Sequence, residues 1–175
     1  MIDLKVTTAV ASELLSVSND IKPHLRITHT DDDTYLTFLG KAVREDFEKW
    51  LNRGIGEQQV TLIADLTGED EYQLPYAPIS SLVAYEKTDF NTYEAITAYS
   101  DYDLDGQDDK TFTPMWSGRF KLVYTCGYTS LPHGLKLAML NECAYRYDNR
   151  GNEQTPGLSE QAMELAKPYK LFSWL

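Results

Sequence analysis

Residues 30–64 read TDDDTYLTFLGKAVREDFEKWLNRGIGEQQVTLIA, and the period of their apolar positions changes once, at Gly54 to Gly56. Before the glycines, Leu36, Leu39, Val43, Phe47 and Trp50 recur at three-and-four spacing, and Tyr35, Ala42 and Leu51 widen the stripe. That spacing predicts an amphipathic helix lying on a core, with Lys41, Arg44, Glu45, Glu48 and Lys49 on its outer face. Thr30 is expected to cap the helix and Asp31 to Asp33 to meet the positive end of its dipole, a start worth about 1 kcal/mol. Gly54 is expected to give the left-handed stop. After the glycines, Val60-Thr61-Leu62-Ile63-Ala64 has the branched composition of a strand.

Working outward, Glu71 to Leu74, Ser81 to Tyr85, Tyr93 to Ile96 and Phe120 to Tyr124 have the same strand character. They are separated by Pro75, Pro78 and the acidic stretches 65–70 and 101–110. Helical spacing returns after Ser130-Leu131-Pro132, a cap with a proline in the first turn, through Leu135, Ala138, Met139, Glu142, Cys143 and Tyr147. Leu137, Leu140 and Ala144 make that helix apolar on a second side, as expected of a helix that is central or shared with a neighbouring subunit. Gly151 ends it, and Ser159 begins a last short helix before Pro168. At the N-terminus, Ile2, Leu4 and Val6 alternate as in an edge strand, although the segment would also suit an unstructured arm. Ser18 is expected to cap a short helix running toward Leu25. The pattern predicts an α+β fold, a small bundle of N- and C-terminal helices with an inserted antiparallel β lobe. It is expected to be one domain over 1–175, helical over 1–56, β-rich over 57–129 and helical over 130–175.

Composition sets further bounds. The 175 residues are 42% hydrophobic and 25% charged, the balance of one globular domain, and at this length about 70% of the unfolded chain's surface is buried on folding. Sixteen Lys and Arg against 27 Asp and Glu give a net charge of -11, so the surface repels phosphate and anionic lipid. That argues against sequence-specific DNA binding and against a membrane surface. Cys126 and Cys143 read as small buried apolar residues of a reducing compartment. Met1 to Val6 carry an acid and a base with no apolar run behind them, so the chain is expected to be cytosolic when made.

Asp101, Asp103 and Asp105, followed by Gly106, Asp108 and Asp109, match the first half of a calcium loop, in which alternate acids put oxygens on one side. Phe112 stands where the bidentate glutamate belongs, which favours an acidic hairpin loop. The alternative reading that follows is a calcium-stabilised protein-binding module using Asp101 to Asp109. Signals for catalysis are lacking. His24, His29 and His133 are scattered, no serine elbow occurs, and Gly54-Ile55-Gly56 lacks the third glycine of a phosphate loop. The expectation is a protein that is not an enzyme and has no cofactor. Tyrosines crowd the middle block, as at Tyr85, Tyr93, Tyr99 and Tyr102, and suit either a protein interface or the packing of a small sheet.

Several segments, read in order, resemble one family. Lys22, Leu25-Arg26-Ile27, the acids Asp31 to Asp33 and the helix running to Trp50-Leu51-Asn52-Arg53 are similar to the opening of the head-tail connector, or head completion, proteins of long-tailed bacteriophages. Leu74-Pro75 and Pro78-Ile79 resemble that family's Leu-Pro and Pro-Val step, and Tyr124-Thr125-Cys126-Gly127-Tyr128 its Tyr-Thr-Ala-Gly-Tyr. Tyr147-Asp148-Asn149-Arg150 and Leu165 to Lys170 resemble its Tyr-Glu-Asn-Arg and its closing Leu-x-Pro-Tyr-Arg. Cys126 for Ala, Asp148 for Glu and Lys170 for Arg are mild departures. The resemblance implies a structural adaptor of the virion neck, assembled in the host cytoplasm, that docks as a dodecameric ring under the portal protein and joins it to a tail or stopper protein. Genomic DNA would pass through without specific binding. Such a chain can stay monomeric until the portal presents a template. The expected subunit or portal interface is Leu137, Leu140 and Ala144 on the wide helix, with Tyr169, Phe172 and Trp174 at the C-terminus.

Overall fold

The computed structural model describes residues 2–10, 12–90, 92–151 and 157–171. Among these residues the fold is mixed α+β. The helices are α1 (Lys22–Leu25), entered through a π-helical turn at Val17–Ile21, then α2 (Asp33–Leu51), α3 (His133–Asp148) and α4 (Glu160–Ala166), which runs into a 3-10 turn at Lys167–Tyr169. The strands are β1 (Ile2–Thr8), β2 (Gln58–Leu66), β3 (Tyr72–Gln73), β4 (Ile79–Asp89), β5 (Thr92–Ile96), β6 (Tyr102–Asp105), β7 (Thr111–Pro114) and β8 (Gly118–Cys126). They form an antiparallel five-stranded sheet in the order β1-β2-β8-β4-β5 and a three-stranded sheet in the order β3-β7-β6.

Two hydrophobic cores result. In the bundle, Leu36, Leu39, Val43, Phe47 and Leu51 of α2 meet Leu135, Ala138, Met139 and Cys143 of α3 and Ala162 and Ala166 of α4. In the lobe, the period-2 alternation of β2 and β8 turns Val60, Leu62, Ala64, Phe120, Leu122 and Tyr124 inward. They pack on Leu74, Tyr102 and Phe112 beside or within the small sheet, with the Phe112 ring edge-on to Phe120 at 5.9 Å. Every buried side-chain nitrogen or oxygen of the described residues has a hydrogen-bond partner.

Several local expectations are corrected. The first helical turn is capped by Ser16, not Ser18: the Asn19 amide donates to Ser16 Oγ at 3.2 Å. Helix α2 has Asp32 at its cap position with no side-chain capping bond, so the Thr30 hydroxyl is not its cap. The acids there are held by tertiary partners instead. Lys22 Nζ donates to Asp33 at 2.8 Å, and the Tyr147 hydroxyl donates to Asp32 at 2.5 Å beside Arg150. Asn52, at φ 55°, is the left-handed stop, which leaves Gly54 for another purpose. Helix α3 begins after Pro132 with no side-chain capping bond, whereas Ser159 caps α4 as expected by accepting from the Ala162 amide. The N-terminal segment is an edge strand, so the lobe recruits β1 from ahead of the helices. The acidic stretch supplies strand β6 and the residues just beyond it strand β7, both hidden by the composition.

Gly54 and Gly56 serve the junction between the two cores. A side chain at Gly127, whose φ is +105°, would place its Cβ 2.0 Å from the Gly56 carbonyl oxygen, and one at Gly54 would meet the Gly127 backbone at 2.9 Å. The end of α2 and the end of β8 therefore touch backbone to backbone. Glu48 secures the same corner. Its buried carboxylate accepts from the Ile55 amide at 2.9 Å, from Gln58 Nε2 at 3.3 Å and from Arg44 Nη1 at 2.7 Å. Burial pushes this carboxyl up from its ordinary range, against the pull of the Ile55 amide and Arg44.

Gly127→Ala is expected to lower unfolding stability by about 2 kcal/mol or more in urea titrations, since it combines a positive φ with a backbone clash. At Asp32 the hydrogen bond from Tyr147, then that from Arg150, holds the carboxyl below its ordinary value of 3.8. A depressed acid stabilises the fold fully above its unfolded pKa and ceases to do so as pH falls through the folded one. Asp32→Asn should therefore flatten the acid limb of a stability-against-pH profile below about pH 4 and leave Arg150 and Tyr147 less ordered.

Candidate functional site

Among the described residues, the features best suited to function are exposed surfaces. Burial pushes the thiols of Cys126 and Cys143 up to about 12, far from nucleophilic at neutral pH. Among the described residues no group of three or more His, Cys, Asp or Glu stands where it could hold a metal ion, and no helix is long and apolar enough to cross a membrane.

Of the calcium pattern, Asp103 and Asp105 lie on β6, with Asp101 in the turn before it and Asp108 and Asp109 in the turn after it. Asp101 spends its carboxylate on the Thr97 amide at 2.6 Å. Asp103 and Asp105 sit opposite Thr113 and Thr111 on the outer face of the small sheet, while Phe112 is fully buried in the lobe core. Asp109 is engaged from the other direction. Arg53, just past the end of α2, donates through both terminal nitrogens to its two carboxylate oxygens, at 2.5 and 2.8 Å. Arg53 Nε also donates to the Tyr169 carbonyl. One guanidinium thus ties α2, the β6–β7 hairpin and the C-terminal turn together. Burial draws the Arg53 pKa down, but the Asp109 carboxylate outweighs it and holds the group above its ordinary value.

The expected interface residues divide. Leu137 protrudes from α3 at 47% exposure. Leu140 packs in part against the bundle core and Ala144 is half-buried, so the second apolar side of α3 is a narrow outer stripe centred on Leu137. Tyr169 is half-buried, and its hydroxyl lies so near Gly134, in the first turn of α3, that a Cβ there would approach it to 2.6 Å. Phe172 and Trp174 fall outside the described residues. The chain reaches them from Leu171, which is buried and whose amide donates to the Leu51 carbonyl at 2.9 Å. An open groove of ≈ 490 Å³ lies nearby, lined by Trp50, Met163 and Lys170 among others, with Lys170 Nζ 4.4 Å from the Trp50 ring centre.

Sequence reading missed the Arg53 clamp and the linkage of α3 to α4. In the latter, the Glu142 carboxylate, 1% exposed, accepts from Arg146 Nε at 2.7 Å and from the Ser159 amide and hydroxyl at 3.1 and 2.6 Å. A Glu and an Arg four apart on a helix gave a local hint of the second. Nothing local pointed to a pair 56 residues apart such as Arg53 and Asp109. Arg53→Ala is expected to cost about 1 to 2 kcal/mol. It should raise hydrogen exchange in the 106–110 turn and after Tyr169 while α2 and α3 keep their protection.

Residues 13–167 match the head completion protein family. No curated protein matches the chain. Among solved structures, a chain from the neck of an empty gene transfer agent particle, with sixfold symmetry, superposes with a TM-score of 0.78 at 19% identity, covering 99% of this chain and 97% of that one. A chain from the virion of the native gene transfer agent particle gives 0.73 at 22% identity, covering 98% and 97%. A chain from the native neck, with twelvefold symmetry, gives 0.70 at 21% identity, covering 99% and 97%. At these identities the likeness establishes the shared fold, and the match over 13–167 establishes the kinship: the chain belongs to the head completion protein family.

Proposed function

We propose that this chain is a structural protein of a virion neck, a head-tail connector that closes into a ring under the portal of a DNA-filled capsid, joins it to the tail and leaves a channel for DNA. The observation that carries the reading is the family match over 13–167 together with nearly full-length likeness to chains from particle necks of sixfold and twelvefold symmetry. A dodecamer is compatible with both symmetries. A ring of identical chains uses two different patches on each subunit, because its interfaces are head to tail. The outer stripe of α3, with Leu137 at its centre and Leu140 and Ala144 beside it, is one candidate for contact with the portal or a neighbour. The C-terminal stretch with Tyr169, Phe172 and Trp174 is the other. A net charge of -11 suits a conduit, since DNA slides past a surface that repels its phosphates.

The test is the mass of the purified chain by light scattering, alone and after mixing with portal rings. A ring, or a monomer that assembles once portal is added, is the expected outcome. Leu137→Asp should weaken portal-dependent assembly by about tenfold or more while lowering the unfolding free energy by no more than about 1 kcal/mol, because about half of the side chain is already in water. A chain that stays monomeric and indifferent to portal overturns the reading.

A further inference from the structure

The β lobe has two outer faces of opposite charge. On the five-stranded sheet the residues turned away from the core include Lys5, Lys87, Arg119 and Lys121, with Asp3 and Asp65 as the acids in the same rows. This face is net basic on a chain that carries -11 overall. Its middle is β-branched. Thr61, Val123 and Val83 lie side by side across β2, β8 and β4, and Val83 is 48% exposed, with no helix among the described residues packed over the sheet. Lys121 is held upright there, its Nζ 4.4 Å from the Tyr85 ring centre and 4.9 Å from that of Tyr93. An ammonium fixed over two rings has little entropy left to lose when a carboxylate arrives.

The opposite side of the lobe is acidic. Asp103 and Asp105 project from the outer face of the small sheet, Asp108 lies in the turn beyond them, and the exposed loop Glu69-Asp70-Glu71 is pinned to the same sheet by the Glu69 amide on the Pro114 carbonyl at 2.8 Å. Lys110 is the one base in this group, and its Nζ donates to the Gly106 carbonyl. Tyr99 and Met115, 81% and 40% exposed, stand at the end of the sheet and offer apolar surface. Because the two sheets pack through Phe112, Phe120 and Leu122, these faces look in opposite directions.

Opposite charges on opposite sides of one lobe suit a head-to-tail contact between identical chains, which joins two different patches. We propose that the outer face of the five-stranded sheet docks the acidic face of the small sheet on the next copy of this chain, with Lys87 and Lys121 opposite Asp103 and Asp105. The occupant is a second copy because the complementary charge is present on this chain itself, on the other face of the lobe. The inference rests on the ring reading above and names the surfaces that close the ring.

The test uses two charge-reversed full-length chains, Lys87→Glu with Lys121→Glu, and Asp103→Lys with Asp105→Lys, alone and mixed. Oligomers are trapped with a carbodiimide, which joins lysine to carboxylate only in contact, and counted by gel and mass spectrometry. The wild type should give a ladder whose intermolecular links join Lys87 or Lys121 to Asp103 or Asp105, weakening with added salt. Each variant alone should lose the ladder by about tenfold or more, since like charges then face each other. The equimolar mixture should restore it, because every contact in an alternating ring again pairs opposite signs. Misfolded variants cannot produce that rescue. If wild type and both variants form the same ladder, or if the mixture fails to recover while each variant melts like wild type, this interface is wrong and the ring stands on other surfaces. A wild type that gives no ladder even with portal rings present overturns the ring reading and this interface with it.

Discussion

The fold depends on one close backbone contact, that of Gly127 with Gly54 and Gly56. The helical core and the β core share no broad apolar seam, so the corner where α2 hands the chain to β2 and β8 hands it to α3 must set how they are joined. A side chain at any of the three positions would strike backbone or, at Gly56, the Val10 side chain. The polar groups exposed by so tight a corner are met by Glu48, which reaches from the last turns of α2 to the Ile55 amide and Gln58. A buried carboxylate is costly to desolvate, and here Arg44 and the amides make it tolerable.

From that corner outward, charge pairs add to the apolar core that the helices bury. Arg146 holds Asp46 of α2 at 2.8 Å and Glu142 of its own helix at 2.7 Å, and Glu142 in turn anchors the cap of α4. Arg53 fixes the tip of the β6–β7 hairpin to the end of α2. Arg44, Arg53 and Arg146, each largely buried, are engaged by carboxylates of the chain itself. The bases gathered on the outer face of the five-stranded sheet are the ones that the proposed contact between copies would use.

The sequence was readable wherever a periodic apolar pattern coincided with an element that buries it. Helices α2 and α3, strands β2, β4 and β8, and the core residues Leu36, Val43, Phe47, Leu135 and Met139 follow from spacing. It was misleading at the ends of elements. Thr30 and Gly54 had the right chemistry for a cap and a stop, but Asp32 and Asp33 found partners on Tyr147, Arg150 and Lys22, and Asn52 took the left-handed conformation first. Strands β6 and β7 were hidden because their outward positions are aspartate and threonine, and their inward Tyr102, Leu104 and Phe112 are too few to show a period.

By itself, then, the sequence determined the fold class, the helical face that is buried, the acidic balance and, through the order of its short motifs, the family. Those properties are local or additive, fixed by the spacing of apolar residues and by the count of charges. Only the tertiary structure decided that β1 joins the lobe, that Asp109 is held by Arg53, that Leu137 alone of its stripe stands well clear of the bundle, and that the lobe is basic on one side and acidic on the other. Each depends on which distant segments become neighbours, and a one-dimensional pattern carries no direction in space.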